Sequence, residues 1–214
     1  QLGLMKNGVD LKESFNEVDP AKVAFKDSFD AATEFFEKAL TANETSPQAT
    51  FLPLSVRFRR AQTLGLLGRW KELADEYDKL VRDADLLDTT GPAYAIKTAN
   101  ASSQRLPATQ ILNERAFALC QLAEKGDKKS GAEAQKLAAA VIKVTDTGAS
   151  SSKEPPRDFW FARYIAALAA LNNGEMEVAR QATDYYRTTD RDLDKGKWGF
   201  DKKLKEIEDR VKRR

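Results

Sequence analysis

Three aspartates alternate near the C-terminal end of the chain, Asp190, Asp192 and Asp194, with Gly196 and Asp201 downstream. Alternating carboxylates in a loop are hard oxygen donors at the spacing that helix–loop–helix calcium sites use. That chemistry needs a glycine at the sharp turn and a distal bidentate glutamate, and Lys195 and Asp201 stand at those places. The cluster therefore reads as a solvated loop, and no metal site is expected. Arg57, Arg59 and Arg60 form a second group. Guanidinium forks grip carboxylates, so in a groove these arginines would suit an acidic peptide, while on an open helix face they are solvated. The closing run Arg210, Lys212, Arg213 and Arg214 suits the negative end of a helix dipole.

Nucleophilic and metal chemistry find few donors. The 214 residues include no histidine and one cysteine, so there is no Ser–His or Cys–His pair, no histidine metal site and no CxxC motif. Cys120, on an Ala/Leu-rich stretch, reads as a small core residue. GASSSK at 148–153 lacks the second glycine that would let backbone amides cradle a phosphate. The reading is a protein that is not an enzyme and holds no cofactor; carboxylate chemistry is the weaker alternative.

Hydrophobic residues make up 42% of the chain and charged ones 32%, with a net charge of +2. That balance offers nothing to attract nucleic acid or a membrane surface in bulk. No stretch approaches the roughly 18–20 apolar residues of a membrane span. Residues 1–19 read as a lead-in, and its Leu2, Gly3, Leu4 and Met5 as a cut boundary or the tail of an upstream anchor. The compartment expected from that tail is a bacterial exported or membrane-anchored soluble domain, with the cytoplasm as alternative. Oligomeric state is not legible.

Side chains act only where the chain holds them, and the spacing of apolar residues supplies the frame. Over 54–84 (LSVRFRRAQTLGLLGRWKELADEYDKLVRDA) Val56, Ala61, Leu64 and Leu67 recur at helical steps, with Arg60 interrupting the stripe. After a Gly68-Arg69 hinge, Trp70, Leu73, Tyr77 and Leu80 repeat at steps of three, four and three. The same steps join Phe29, Ala32, Phe36 and Ala39; Ala134, Leu137, Val141 and Val144; and Met176, Ala179, Thr183 and Tyr186. Such periodicity predicts amphipathic helices. Ile111, Leu112, Ala116, Leu119 and Leu122 give a further stripe over 108–123, followed by a charged turn over 126–131 and a helix over 132–144.

Breakers and caps set the ends. Asp19-Pro20 and Ser46-Pro47 each pair a capping residue with a proline, and Pro53 is tolerated only in a first turn. Asp158 is expected to cap a helix (FWFARYIAALAALNN) that Asn173-Gly174 ends. Residues 88–107 read as an insertion with one helical turn over 93–99, and 145–157 as a mobile Gly/Ser/Pro loop. Leu204, Ile207 and Val211 share one face of a charged terminal helix over 201–214. The fold class expected is all-α, with helix above about 60% of residues and strand essentially absent.

Ala61 precedes Trp70 by nine residues, and Ala167 precedes Met176 by nine, so two stretches share one helix–hinge–helix frame. The order small residue, Leu-Gly, Gly hinge, aromatic, apolar, aromatic over 54–84 resembles a tetratricopeptide repeat (TPR), a unit of about 34 residues. The resemblance is good over 54–84 and 160–187 and partial over 22–43 and 109–144. Leading residues Phe29, Trp70, Ala134 and Met176 are 41, 64 and 42 residues apart, an uneven spacing that an irregular helical bundle would also show. The resemblance implies a TPR-like α-solenoid: antiparallel helical hairpins with irregular insertions and a C-terminal capping helix, in one domain over 20–214.

That family binds proteins and seldom performs chemistry, so the resemblance implies a non-enzymatic scaffold holding a peptide or partner protein in a concave groove. First helices line such a groove. Carried over from the small residues Ala61, Ala116 and Ala167, the groove-facing residues would be Phe58, Gln62, Gln110, Asn113, Phe117, Phe161 and Tyr164. Amides would serve a peptide backbone and aromatic faces its side chains. Phe58 and Gln62 stand where some relatives carry a lysine–asparagine clamp, so carboxylate capture is not implied. Phe58, Phe117 and Phe161 filling the core is the alternative for those three, and a subunit packed permanently in a larger assembly is the alternative function.

Overall fold

The backbone reverses at Gly68 with φ 69° and at Gly174 with φ 81°. Both values lie in the left-handed region, which costs an ordinary L-residue about 1–2 kcal/mol and glycine essentially nothing. They fall where the sequence places a hinge and a C-cap. The structure, a computed structural model, describes residues 31–38, 41, 52–103, 106–146, 156–188 and 200–213. Nine helices hold 81% of these residues. In order they are α1 (31–38), α2 (Leu52–Leu66), α3 (Trp70–Asp83), α4 (Thr98–Ser103), α5 (Ala108–Glu124), α6 (Lys128–Thr145), α7 (Arg157–Asn173), α8 (Met176–Thr188) and α9 (Phe200–Lys212). Two short strands, β1 (Leu87–Asp88) and β2 (Ala95–Ile96), lie between α3 and α4.

The chain divides into two compact units, Gln1–Leu86 with Ala99–Leu106, and Leu87–Thr98 with Pro107–Arg214. In the first, α2 and α3 pack as a hairpin. Leu73, Tyr77 and Leu80 of α3 are fully buried, as are Ala61 and Leu64 of α2. Pro53 sits in the first turn of α2, where its missing N–H removes no helical bond. Past α3, Asp85 takes a φ of 47°. Asn100 steadies that turn by donating from Nδ2 to the Asp85 carbonyl at 2.9 Å and to its carboxylate at 3.0 Å.

The second unit is built on α7. Helices α5 and α6 form a hairpin, α6 and α5 both pack on α7, α8 folds back on α7, and α9 lies against α7 and α8. Burial explains the position of α7: Phe159, Trp160, Phe161, Ile165, Leu168 and Leu171 are all buried, with Ala162, Ala167, Ala169 and Ala170 between them. A helix apolar on nearly every side can only be central. Each large side chain contributes about 1.5–3 kcal/mol by leaving water, and the alanines let neighbours come close. At its end Gly174 N–H and Glu175 N–H donate to the carbonyls of Leu171 and Ala170, closing a left-handed cap.

The all-α class stands, and several finer expectations are corrected. In and just before the segment expected as an insertion with one helical turn, Leu87 pairs with Ile96 and Asp88 with Ala95, antiparallel, and these four are the strand residues among those described. The Asp88 carboxylate accepts from Thr90 N and Oγ1 at 2.9 and 2.7 Å, a local turn that starts the reversal before Gly91-Pro92. The helical turn of this segment is α4, further on than 93–99. Helix α6 begins at Lys128, four residues before the expected 132, because Asp127 caps it by accepting from Lys129 N and Ser130 N. Asp158 is not the cap of α7; Pro156 holds that place with no side-chain bond. Val144, the last member of its stripe, is 43% exposed. The expected caps at Asp19 and Ser46, the Asp190–Asp194 cluster and most of the 145–157 loop lie outside the described residues.

Candidate partner-binding surface

Of the seven residues assigned to a groove, two belong to the first unit. Phe58 is 8% exposed and packs its ring 6.3 Å from that of Tyr77 on α3. Gln62, one turn on, is half-buried and accepts from Arg59 Nη1 at 2.9 Å. The Arg59 guanidinium also lies over the Phe58 ring at 5.5 Å. The other arginines are held within the unit. Arg57 pairs with Asp83 at 2.7 Å, and Arg60 reaches both Glu37 on α1 and Glu76 on α3. These guanidiniums are thus spent on internal carboxylates rather than left to water.

The other five belong to the second unit, on α5 and α7. Asn113 is fully buried, and its Nδ2 donates to the Asp158 carbonyl at 2.9 Å, tying α5 to the start of α7. Beside it Thr109 Oγ1 donates to the Asp158 carboxylate. Gln110 is half-buried and donates from Nε2 to Glu114 at 2.9 Å. Phe117 and Phe161 are 7% and 2% exposed, with ring centroids 5.9 Å apart. Tyr164 keeps partial exposure and lies 6.4 Å from both rings. Burial raises its phenol above the ordinary value, as it raises the Cys120 thiol nearby.

The structure therefore brings Phe117, Phe161 and Tyr164 into one aromatic cluster. It buries Phe58, Asn113, Phe117 and Phe161 within their own units and leaves Gln62, Gln110 and Tyr164 partly open. A further ring belongs to this cluster and was not among the assigned residues. Phe200, at the start of α9, stacks on Phe161 at 5.5 Å with 13° between planes, and on Tyr164 at 6.0 Å. Its signal was in the sequence, for Phe200 lies four residues before Leu204 and seven before Ile207, on the same stripe. Two cations border the rings: Lys203 Nζ is 5.7 Å from both Tyr164 and Phe200, and the Arg157 guanidinium is 5.9 Å from Phe200.

Among the described residues no group of three or more Cys, Asp or Glu is placed to hold a metal ion. No described helix is long and apolar enough to cross a membrane. No family model, curated protein or solved structure matches the chain.

Proposed function

We propose that the chain is a TPR-like interaction module that binds a peptide segment or a partner protein and performs no chemistry of its own. The observation carrying this reading is the succession of two helical hairpins, α5–α6 and α7–α8, packed side by side through small residues, with an aromatic face gathered on their first helices. Ala116 and Ala167 are fully buried, which suits the small residues of such repeats. Aromatic rings fringed by half-buried amides offer apolar contact with little entropy to lose on binding. Within the second unit Gln110 and Tyr164 are partly open, with Phe200 stacked on Tyr164; within the first, Gln62 is partly open.

A peptide-display selection on the intact chain tests this. Enriched sequences whose binding is lost in Tyr164→Ser, at unchanged melting temperature, support the module. Absence of any selected ligand, with one stoichiometric partner retained through purification from the native source, favours a permanently packed subunit instead.

A further inference from the structure

The aromatic face of the second unit is covered by a segment of the same chain. Phe200 of α9 stacks on Phe161 and Tyr164, and Leu204 and Ile207 follow it into the interface, both buried. These three residues fall at steps of four and three, one stripe on a helix whose other positions are nearly all charged. Lys203 lies over the Tyr164 ring, and Arg210 donates from Nη2 to Glu124 at the end of α5 at 3.2 Å. An amphipathic helix laid into a partner's groove makes this set of contacts: an apolar stripe below and charges at the rim. Helix α7, which receives it, is buried on nearly all sides, whereas α9 is held by one apolar stripe and the rim contacts of Lys203 and Arg210. Helices with few buried apolar side chains open at the low end of local stabilities.

The geometry points to α9 as a ligand held in cis, which occupies the Phe117–Phe161–Tyr164 face and must lift before a partner binds there. This deepens the interaction-module reading and rests on it. The partner is an amphipathic helix of the same chemistry: Phe, Leu and Ile at the first, fifth and eighth positions, with basic residues at the fourth and eleventh, as Lys203 and Arg210 stand in α9. Binding is then gated by the fraction of molecules with α9 lifted. An open fraction of about 1% weakens the apparent affinity about a hundredfold.

The test uses the full chain and a fluorescein-labelled peptide of sequence 198–214. Wild type and Phe200→Ala/Leu204→Ala are titrated by fluorescence anisotropy, after circular dichroism has established that the variant is helical. The variant is expected to bind the peptide about tenfold tighter than wild type or better, since its own α9 no longer competes. A folded variant with no saturable binding, or with binding equal to wild type, overturns the inference. Should the variant not fold, amide hydrogen exchange on the wild-type chain decides. Exchange over 203–212 about a hundredfold faster than over α7 supports local lifting, and equal protection of both helices overturns it. The inference and the module reading fail separately: a display-selected ligand that Tyr164→Ser abolishes, beside a variant blind to the 198–214 peptide, sinks only the inference.

Discussion

Arg60 on α2 and Glu76 on α3 form an ion pair inside the first unit, with side chains only 15% and 6% exposed. The second guanidinium nitrogen of Arg60 reaches Glu37 on α1 at 2.6 Å, so one arginine joins three helices. A pair this sheltered is weak evidence of net stabilisation, yet removing one partner strands the other charge away from water.

Glu76→Gln should therefore destabilise the first unit by about 2–4 kcal/mol, and replacing both partners with apolar residues, as in Arg60→Met/Glu76→Leu, should restore most of the loss. Arg57→Ala breaks a bond to an Asp83 that is 52% exposed, and should cost no more than about 1 kcal/mol. Urea unfolding followed by circular dichroism ranks the three; equal losses would contradict the difference in burial.

Gly131 lies inside α6 where a side chain has no room. A Cβ there would fall 2.1 Å from Asn173 Oδ1 and 3.0 Å from its Cγ. Asn173 would have to swing away and give up its bond from Nδ2 to Gln135 Oε1. Gly131→Ala gains about 1 kcal/mol of helix propensity and loses about 1 kcal/mol of hydrogen bonding, so its melting temperature should barely move. Gly131→Leu overpacks the α5–α6–α7 crossing and should cost about 1–3 kcal/mol. A stabilised Leu variant would mean that the helices part easily there.

Asp127 caps α6, and the Ser130 hydroxyl, then the backbone amides of Ser130 and Lys129, hold its carboxyl below the ordinary value. A folded pKa below the unfolded one gives stability that is present above the unfolded value, about 3.9, and is lost as pH falls through the folded one. Asp127→Ala should thus lower the melting temperature at pH 6, and the gap to wild type should narrow below about pH 4. From about pH 6 to 8 the wild type itself should be flat, because the chain has no histidine and burial moves Cys120 upward, away from neutrality. Melting scans at these pH values check both; a steep change near neutrality would point to a carboxylate with a strongly raised pKa.

Among the residues assigned to binding, burial separates two classes of outcome. Phe58→Ala and Phe161→Ala should each cost about 3–5 kcal/mol, as large core truncations do. Gln62→Ala and Gln110→Ala should stay within about 0.5 kcal/mol of wild type in stability. Loss of partner binding in the glutamine variants at unchanged stability is the outcome the interaction-module reading expects. Glutamine variants that bind normally would move the contact surface elsewhere.

The hairpins were legible because their signals are local. Ala61, Gly68, Trp70 and Tyr77 lie close in sequence, and so do Ala167, Gly174 and Ala179; steps of three and four with a glycine between define a hairpin before any long-range contact is known. The β1–β2 ladder was not legible, since four paired residues carry no periodicity and depend on a turn that Asp88 builds. Asp158 looked like a cap because its type and place were right. Its carboxylate instead accepts from Thr109, 49 residues away, a distance over which sequence spacing is silent. The same silence hid the stacking of Phe200 on Phe161.

Cys120 is buried against the α5–α7 seam, its thiol directed at the Ile165 carbonyl 3.8 Å away. As the chain's one sulfhydryl, it makes the protein its own stopwatch. A thiol-reactive dye can reach it only when α5 and α7 separate, so the rate of colour development counts those separations. Run beside the 198–214 peptide, the same reaction tells whether lifting α9 disturbs the seam beneath it or leaves it shut.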